Sequence, residues 1–296
     1  MTDSDSSIDL DQLLGYRFDP ITYEYTERDV AFYALGVGAP ADWLDQEELK
    51  FVYENSGTGF VALPTFAVIF PTQIIHTLIS GRLPGLTFNP LALVHGEQYV
   101  EIKELLPVRG RITSKPRISA VYDKGSGVLI VADVPCYDEH DKEIAFNQSA
   151  MFIRGLGGFG GERGPSRNVN NPPERAPDIV HSEATLDRQA LIYRLSGDIN
   201  PLHADPMVAA FGGFDRPTLH GLSTFGFAAR AVLKHVCGNS PARFKSIRAR
   251  FAQPVFPGDM LTTEMWIEDN NRVIIRTRVA ERDAIVLSNA VVEIAS

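Results

Sequence analysis

The feature that most constrains this chain is a glycine- and proline-rich stretch near its middle, residues 155–178. It holds six glycines and four prolines, which disfavour the interior of a helix or a strand. Its glycine-rich start lacks the Gly-Lys-Ser/Thr ending of a phosphate-binding loop, and no helical pattern follows it. We therefore predict a linker between an N-terminal half, residues 1–154, and a C-terminal half, residues 179–296.

The two halves repeat one layout. The apolar stretches Ala31–Gly38 and Leu191–Asp198 are each followed by an apolar, helix-like segment, Phe66–Leu78 in the first half and Leu222–His235 in the second. Segments rich in valine and isoleucine follow, separated by turn residues. This order predicts an α+β fold in which an antiparallel sheet wraps around a central helix, built twice. The predicted strands are His95–Leu105, Val128–Val134, Ile144–Ile153, Phe244–Phe251, Val273–Val279 and Ile285–Ile294.

The segment 193–203, with the sequence YRLSGDINPLH, carries the polar residues most suited to chemistry. Residues 185–195 have a helical pattern, and Pro201 disfavours the helical conformation at the residue before it, so a tight turn is predicted over 198–201. The next helix is predicted to begin with Asp205 as its N-cap. Asp198, Asn200 and His203 thus lie on a short bent stretch between two helices.

An aspartate and a histidine within reach of one water molecule can act as an acid–base pair. Asn200 can orient that water or the imidazole, and the main-chain N–H of Gly221, where the next helix opens, can stabilise a developing oxyanion. Alone, Asp198 is also explained by an Asx turn and His203 by a surface or capping role. Their combination favours acid–base chemistry. His220 is interpreted as a packing or hydrogen-bonding residue.

Composition excludes several classes of function. The net charge is −9 and no run of Lys and Arg concentrates positive charge, which argues against nucleic-acid binding. No apolar run approaches the roughly 20 residues of a membrane helix, so we expect no membrane insertion. Cys136 and Cys237 form no CxxC pair and are expected to be reduced thiols. The histidines show no metal-binding spacing, and no nicotinamide or flavin fingerprint is present, so neither a metal nor a redox cofactor is expected.

The motifs on both sides of the linker resemble those of the hydratase 2 family. This family comprises MaoC-like (R)-specific 2-enoyl-CoA hydratases and includes the hydratase region of peroxisomal multifunctional enzyme type 2. The similarity covers nearly the whole chain. The matching segments are 93–99 (LVHGEQY), 123–127 (DKGSG), 157–161 (GGFGG), 193–203 (YRLSGDINPLH), 213–222 (GFDRPTLHGL) and 224–226 (TFG).

The resemblance implies a double hot-dog fold, with two antiparallel sheets each wrapped around a central helix. It places the catalytic pair Asp198 and His203 in the second half, with Asn200 helping to position them and Gly221 as oxyanion donor. In this family the first half, which lacks the pair, opens a tunnel for the acyl chain. Lys124 is also explained as a turn residue and Phe251 as a core residue. The implied substrate- and CoA-binding residues are His95, Gly96, Lys124, Ile199, Pro201, Leu202 and Phe251.

The activity that the resemblance implies is reversible hydration of trans-2-enoyl-CoA to (3R)-3-hydroxyacyl-CoA in fatty acyl-CoA metabolism. Two alternatives remain open, an acyl-CoA thioesterase and a non-catalytic acyl-binding hot-dog subunit. Coenzyme A enters as part of the substrate, and a homodimer is the habit of the family. The acidic N-terminus lacks the features of a secretory signal, and the C-terminus is not of the Ser-Lys-Leu type. We expect a cytoplasmic location, with the peroxisome as the alternative in a eukaryote.

Overall fold

The structure is a computed structural model that describes residues 7–79, 83–165 and 169–295. Residues 166–168 of the predicted linker lie outside the described residues. The helices are α1 (Leu10–Leu13), α2 (Glu27–Gly36), α3 (Gln46–Leu49), α4 (Thr72–Ile79), α5 (Gln189–Tyr193), α6 (Pro206–Phe211) and α7 (Gly221–His235). The strands are β1 (Ser7–Ile8), β2 (Ile21–Tyr25), β3 (Leu86–Thr87), β4 (Leu93–Ile102), β5 (Gly110–Ser114), β6 (Arg117–Asp123), β7 (Gly127–Tyr137), β8 (Glu143–Arg154), β9 (Ile179–Ala184), β10 (Phe244–Phe251), β11 (Met260–Glu268), β12 (Arg272–Val279) and β13 (Ala284–Ile294).

Eleven of these strands form one continuous antiparallel sheet. Its order is β2-β5-β7-β8-β4-β10-β13-β12-β11-β9, and β6 pairs with β7 beside this path. The two halves meet where β4 pairs with β10, from Ser246 opposite Glu101 to Arg250 opposite Glu97. The two sheets predicted from the sequence are therefore joined edge to edge, which pairs two edges that would otherwise be exposed.

Helix α7 is the central helix of the second half, as predicted for Leu222–His235. Its residues Leu222–Leu233 are all buried, which is the property of a helix enclosed by its sheet. In the first half the prediction of one helix over Phe66–Leu78 was wrong. A 3-10 helix, Pro64–Ile69, precedes α4, because Pro71 between them has no N–H and restricts the residue before it. Among the described residues, no helix combines the length and the hydropathy of a membrane span.

The end of α2 marks where the two halves interlock. The carbonyl oxygens of residues 35–37 lie at the C-terminal end of the helix, where carbonyls lack the usual intrahelical partners, and three side chains of the second half donate to them. Gln189 Nε2 lies 2.8 and 2.9 Å from the first two, Ser223 Oγ lies 2.8 Å from the second, and Arg230 Nη1 lies 2.9 Å from the third. All three donors are buried. These carbonyls belong to the first-half segment that corresponds in position to the predicted catalytic turn, so in the first half this segment is occupied by contacts with the second half.

The segment between β8 and β9 crosses the outer face of the sheet. Its described residues contain neither helix nor strand. Trp266 Nε1 donates to the carbonyl of Arg175 at 2.9 Å, and Asn289 Nδ2 donates to the carbonyl of Val169 at 2.8 Å. Beneath it, Trp266 packs with Ile274 and Val291 in a small second hydrophobic cluster. From Val169 onward the segment is therefore tied to the second half.

Candidate active site

The turn that carries Asp198 is built from two nested side-chain caps. Gly197 ends the preceding helical turn with a left-handed φ of 119°, which glycine adopts without strain. Asp198 Oδ1 then accepts from the N–H of Asn200 at 3.2 Å, and Asn200 Oδ1 accepts from the N–H of Leu202 at 3.1 Å. The predicted tight turn is confirmed, as is the predicted N-cap, since Asp205 accepts from the second residue of α6.

His203 is oriented by a main-chain carbonyl. Its Nδ1 lies 2.9 Å from the carbonyl oxygen of Thr218. Because a carbonyl only accepts, Nδ1 carries the hydrogen and Nε2 offers a lone pair. Burial lowers the pKa of His203 below its ordinary value, and the charge of Asp198 and the Thr218 carbonyl only partly oppose this. His203 is thus a neutral base at neutral pH.

His220 completes a compact cluster with Asp198 and His203. One ligand atom of each of the three side chains lies within 4.8 Å of the others. A water molecule hydrogen-bonded at about 2.8 Å to two such atoms spans up to about 5.6 Å, so one water can bridge Asp198 and His203. His220 Nε2 donates to the main-chain carbonyl of Asp198 at 3.2 Å, which confirms its predicted hydrogen-bonding role.

The two imidazoles of this cluster are stacked. Their centroids lie 3.8 Å apart and their planes differ by 30°, and the ring of Tyr193 also contacts that of His220, with centroids 4.8 Å apart. Burial, and then the neighbouring His203, hold the pKa of His220 well below its ordinary value. His203 Nδ1 and His220 Nε2 each face a main-chain carbonyl, that of Thr218 and that of Asp198, so each ring keeps one nitrogen for another partner.

The cluster faces a cavity of about 300 Å³. A second cavity of about 400 Å³ adjoins it and shares Val94 and Phe251 with it. The structure thus brings together residues that the sequence places far apart. The predicted residues that line the first cavity are His95, Asp198, His203, Gly221 and Phe251, and those that line the second are Gly96, Lys124 and Phe251.

Gly221 opens α7 at the wall of the first cavity. A Cβ at this position would lie 3.1 Å from the ring of Phe251, so a side chain would compete with that ring for space. The first N–H groups of a helix have no acceptor within it, and they carry the positive end of the helix dipole. The position therefore suits a donor to an anionic oxygen.

His95 lies across the cavity from the turn. Its Nε2 is 3.1 Å from Gln98 Oε1, and its ring packs edge-on against Phe251 with centroids 4.9 Å apart. Burial lowers the pKa of His95 to about 4, although the nearby charge of Asp198 opposes this. His95 is therefore neutral at physiological pH. Gly96 follows at a break in the pairing of β4 with β8.

The turn that carries Lys124 and the glycine-rich segment form one unit. The Asp123 carboxylate accepts from three main-chain N–H groups, those of Gly125 at 2.8 Å and of Gly158 and Gly160 at 2.9 Å each. These hydrogen bonds, led by that of Gly158, lower the pKa of Asp123. The carboxylate thus fixes Lys124 at the rim of the second cavity.

Three predicted binding residues do not line either cavity. Ile199 and Pro201 are exposed and Leu202 is half-buried, so their part in binding stays a prediction. Sequence reasoning also missed Thr218, whose contribution is a main-chain carbonyl, and Arg154, an exposed residue that lines the first cavity. The signal for Arg154 was its place directly before the glycine-rich segment.

Comparison with known proteins matches both halves. The profile described as MFE-2 hydratase 2 N-terminal domain matches residues 23–155, and that described as MaoC like domain matches residues 168–290. The chain is 42% identical to a probable enoyl-CoA hydratase 2 of Dictyostelium discoideum over 96% of each chain. It is 43% identical to the peroxisomal enoyl-CoA hydratase 2 of Arabidopsis thaliana, over 98% of this chain and 97% of the relative. The crystal structure of a MaoC-like dehydratase from Phytophthora capsici superposes with a TM-score of 0.88 at 36% identity, covering 98% of both chains.

Proposed function

The chain belongs to the hydratase 2 family of MaoC-like proteins, and we propose that it catalyses the reversible hydration of trans-2-enoyl-CoA to (3R)-3-hydroxyacyl-CoA. Relatives that align over nearly their full length carry the name enoyl-CoA hydratase 2. The observation that carries the proposal is that Asp198 and the neutral His203 lie within the span of one water molecule in a cavity at the start of α7.

In the proposed mechanism a single water molecule is held between the Asp198 carboxylate and His203 Nε2, both of which accept hydrogen bonds. The pair takes one proton as the water oxygen bonds to the β-carbon of the enoyl thioester. The π electrons move to the α-carbon and the thioester oxygen, and the pair returns the proton to the α-carbon. The carbon–carbon double bond becomes single, and no proton is gained or lost overall.

The thioester oxygen develops negative charge during this addition. We assign its stabilisation to the N–H of Gly221, because a donor fixed at a helix N-terminus needs no reorganisation when the charge appears. Phe251 and His95 then form the wall that holds the thioester against this donor. Asn200 acts by capping the turn, which keeps Asp198 and His203 on one side of the cavity.

The coenzyme A part of the substrate is assigned to the second cavity. Lys124 and Arg250 line it, and the charge of Arg250 adds to burial in lowering the pKa of Lys124. Arg250 pairs with Glu97, which also lines this cavity, so the two cations leave one net positive charge, which favours an anionic ligand such as a phosphate group. No other cofactor is required, since the addition of water is neither an oxidation nor a reduction.

We further propose a role in fatty acyl-CoA metabolism, a homodimeric state and a cytoplasmic location. Sedimentation of the purified protein would test the dimer, and a mass of one chain of 32.6 kDa would contradict it. Imaging of the tagged protein in its own cell would test the location, with a peroxisomal signal as the contrary result.

The direct test is an assay with short- and medium-chain trans-2-enoyl-CoA. We expect loss of the conjugated thioester absorbance and a product that an (R)-specific 3-hydroxyacyl-CoA dehydrogenase oxidises. Asp198→Asn and His203→Gln should each lower kcat by at least about 100-fold. Asp205→Asn is the matched control, because it keeps a good N-cap on α6, and it should retain activity.

Other products would point to the alternative functions. Release of free CoA thiol that requires Asp198 would indicate a thioesterase. Activity on no chain length until a second protein is added would indicate an acyl-binding subunit. An (S) product, or full activity in folded Asp198→Asn, would contradict the proposed mechanism.

A further inference from the structure

His203 lines two cavities. One is the first cavity described above, here called the catalytic cavity, and the other is a separate cavity of about 330 Å³, here called the rear cavity. Among the described residues, His203 is the only one that lines both cavities. The rear cavity is lined by Asp187, Ala190, Leu191, His203, Ala204, Arg216, Pro217 and Pro257.

The wall between the two cavities is thin. Arg216 and Pro217 line the rear cavity, and the next residue, Thr218, lines the catalytic cavity and accepts the Nδ1 hydrogen of His203. The side chains of Ala190 and Ala204 in the lining are small, which leaves space in the rear cavity beside His203.

From this geometry we propose that the rear cavity is the port through which water reaches, and leaves, the acid–base pair. The proposal rests on the proposed hydratase function, in which every turnover consumes or releases one water molecule. The catalytic cavity and the second cavity share Val94 and Phe251, and in the proposed function acyl-CoA occupies both during the reaction. Bound acyl-CoA therefore closes that path to water, whereas the rear cavity stays open.

The chemistry of the rear cavity suits water better than an acyl tail. Asp187 and Arg216 provide charged groups beside it, so a water molecule finds polar partners there. An apolar tail in the same place would strip water from these charged groups without replacing their hydrogen bonds. The side chain of Arg216 is 60% exposed and its nearest carboxylate oxygen, on Asp259, is 3.8 Å away, so it remains hydrated.

Leu191 allows a test that does not touch the acid–base pair. It lies on α5, lines the rear cavity and is 53% exposed, so a larger or smaller side chain is tolerated by the core. Leu191→Trp narrows the port and Leu191→Ala widens it. Leu195→Trp is the control, because Leu195 is 60% exposed on the next helical turn and lines none of the three cavities.

The measurement is kcat and KM for hydration of crotonyl-CoA and of a medium-chain enoyl-CoA. We expect Leu191→Trp to lower kcat at least about fivefold for both substrates with KM within about twofold, while Leu191→Ala and Leu195→Trp keep kcat at or above about half of wild type.

Unchanged kcat in Leu191→Trp would overturn the port. A rise in KM confined to the medium-chain substrate would overturn it in favour of an acyl-tail site. An equal loss of kcat in Leu191→Trp and Leu191→Ala would show that Leu191 only packs His203. If the wild type itself has no hydratase activity, the proposed function fails and the port falls with it.

Discussion

Arg230 joins the two halves through a buried network of charges, and its removal should be costly. Arg230 Nη1 lies 3.1 Å from Glu183 and Nη2 lies 3.3 Å from Glu48, while Nη1 also donates to the carbonyl of Val37. The side chain of Arg230 is 6% exposed and that of Glu48 is 3% exposed. Arg230→Met keeps an unbranched apolar stem and removes the guanidinium group with its charge and its hydrogen bonds.

Breaking a buried ion pair by removing one partner costs about 3–5 kcal/mol, because the remaining charge is left without its counter-ion. Here we expect the lower end, about 3 kcal/mol, since Lys234 Nζ still lies 2.6 Å from Glu48 and keeps that carboxylate paired. Burial by itself raises the pKa of Glu48, but the Lys234 hydrogen bond and the Arg230 charge outweigh it and hold that pKa below its ordinary value.

Urea unfolding followed by circular dichroism measures this loss. With a slope of about 3 kcal/mol per molar urea, the midpoint of Arg230→Met should fall by about 1 M. The control is Lys142→Met, whose side chain is 58% exposed and pairs with the exposed Glu104, and which should cost less than about 1 kcal/mol. Equal midpoints for the two variants would refute the reasoning. Hydratase turnover of folded Arg230→Met should stay close to wild type, because Arg230 lines neither the catalytic cavity nor the second cavity.

Four further outcomes follow from the site. Asp123→Asn replaces an acceptor oxygen with an NH₂ group that faces main-chain donors, which should loosen the turn that carries Lys124. We expect KM for acyl-CoA to rise about tenfold with little change in kcat. A fall in kcat alone would contradict this. Gly221→Ala, with its Cβ 3.1 Å from Phe251, should lower kcat/KM about tenfold, and adding Phe251→Leu should recover part of this if the clash is the cause. As the pH is lowered, kcat should fall with a midpoint below pH 6.5, because burial lowers the pKa of His203 from that value and the protonated ring cannot accept a hydrogen bond from water. A midpoint above pH 6.5 would contradict this. His95 has a pKa of about 4 in the folded state against 6.5 in the unfolded chain, so between these pH values the unfolded state binds more protons. The stability that His95 contributes is therefore lost as the pH falls from 6.5 towards 4. His95→Gln should flatten that part of a plot of urea midpoint against pH.

The elements that the sequence predicted well are those whose signal is local. The predicted strand Phe244–Phe251 has the bounds of β10. Its pattern of buried and exposed residues lies within the segment, and the prolines that delimit it are close by in the sequence. The turn at Asp198 was predictable for the same reason, since Gly197, Asn200 and Pro201 are its neighbours in sequence.

What the sequence could not show depends on contacts between distant residues. Strands β9 and β11 escaped prediction, since His181, Ser182 and Glu264 interrupt their apolar pattern and pairing with each other and with β12 stabilises them. The pairing of β4 with β10 joins residues about 150 positions apart. The role of Asp123 in fixing the glycine-rich segment could not be predicted, because two of the three amides that it accepts from lie 35 and 37 positions away.

The cap that the second half places on α2 bears on how such a two-part chain evolves. One half now supplies the donors, Gln189, Ser223 and Arg230, and the other supplies the acceptors, so the halves have become complementary rather than interchangeable. Restoring an acid–base pair at residues 36–38 would require those donors to be displaced first, at a cost in stability before any gain in activity. The difference between the two halves is therefore maintained by their contact, and a polypeptide with two hot-dog units keeps a single reaction centre.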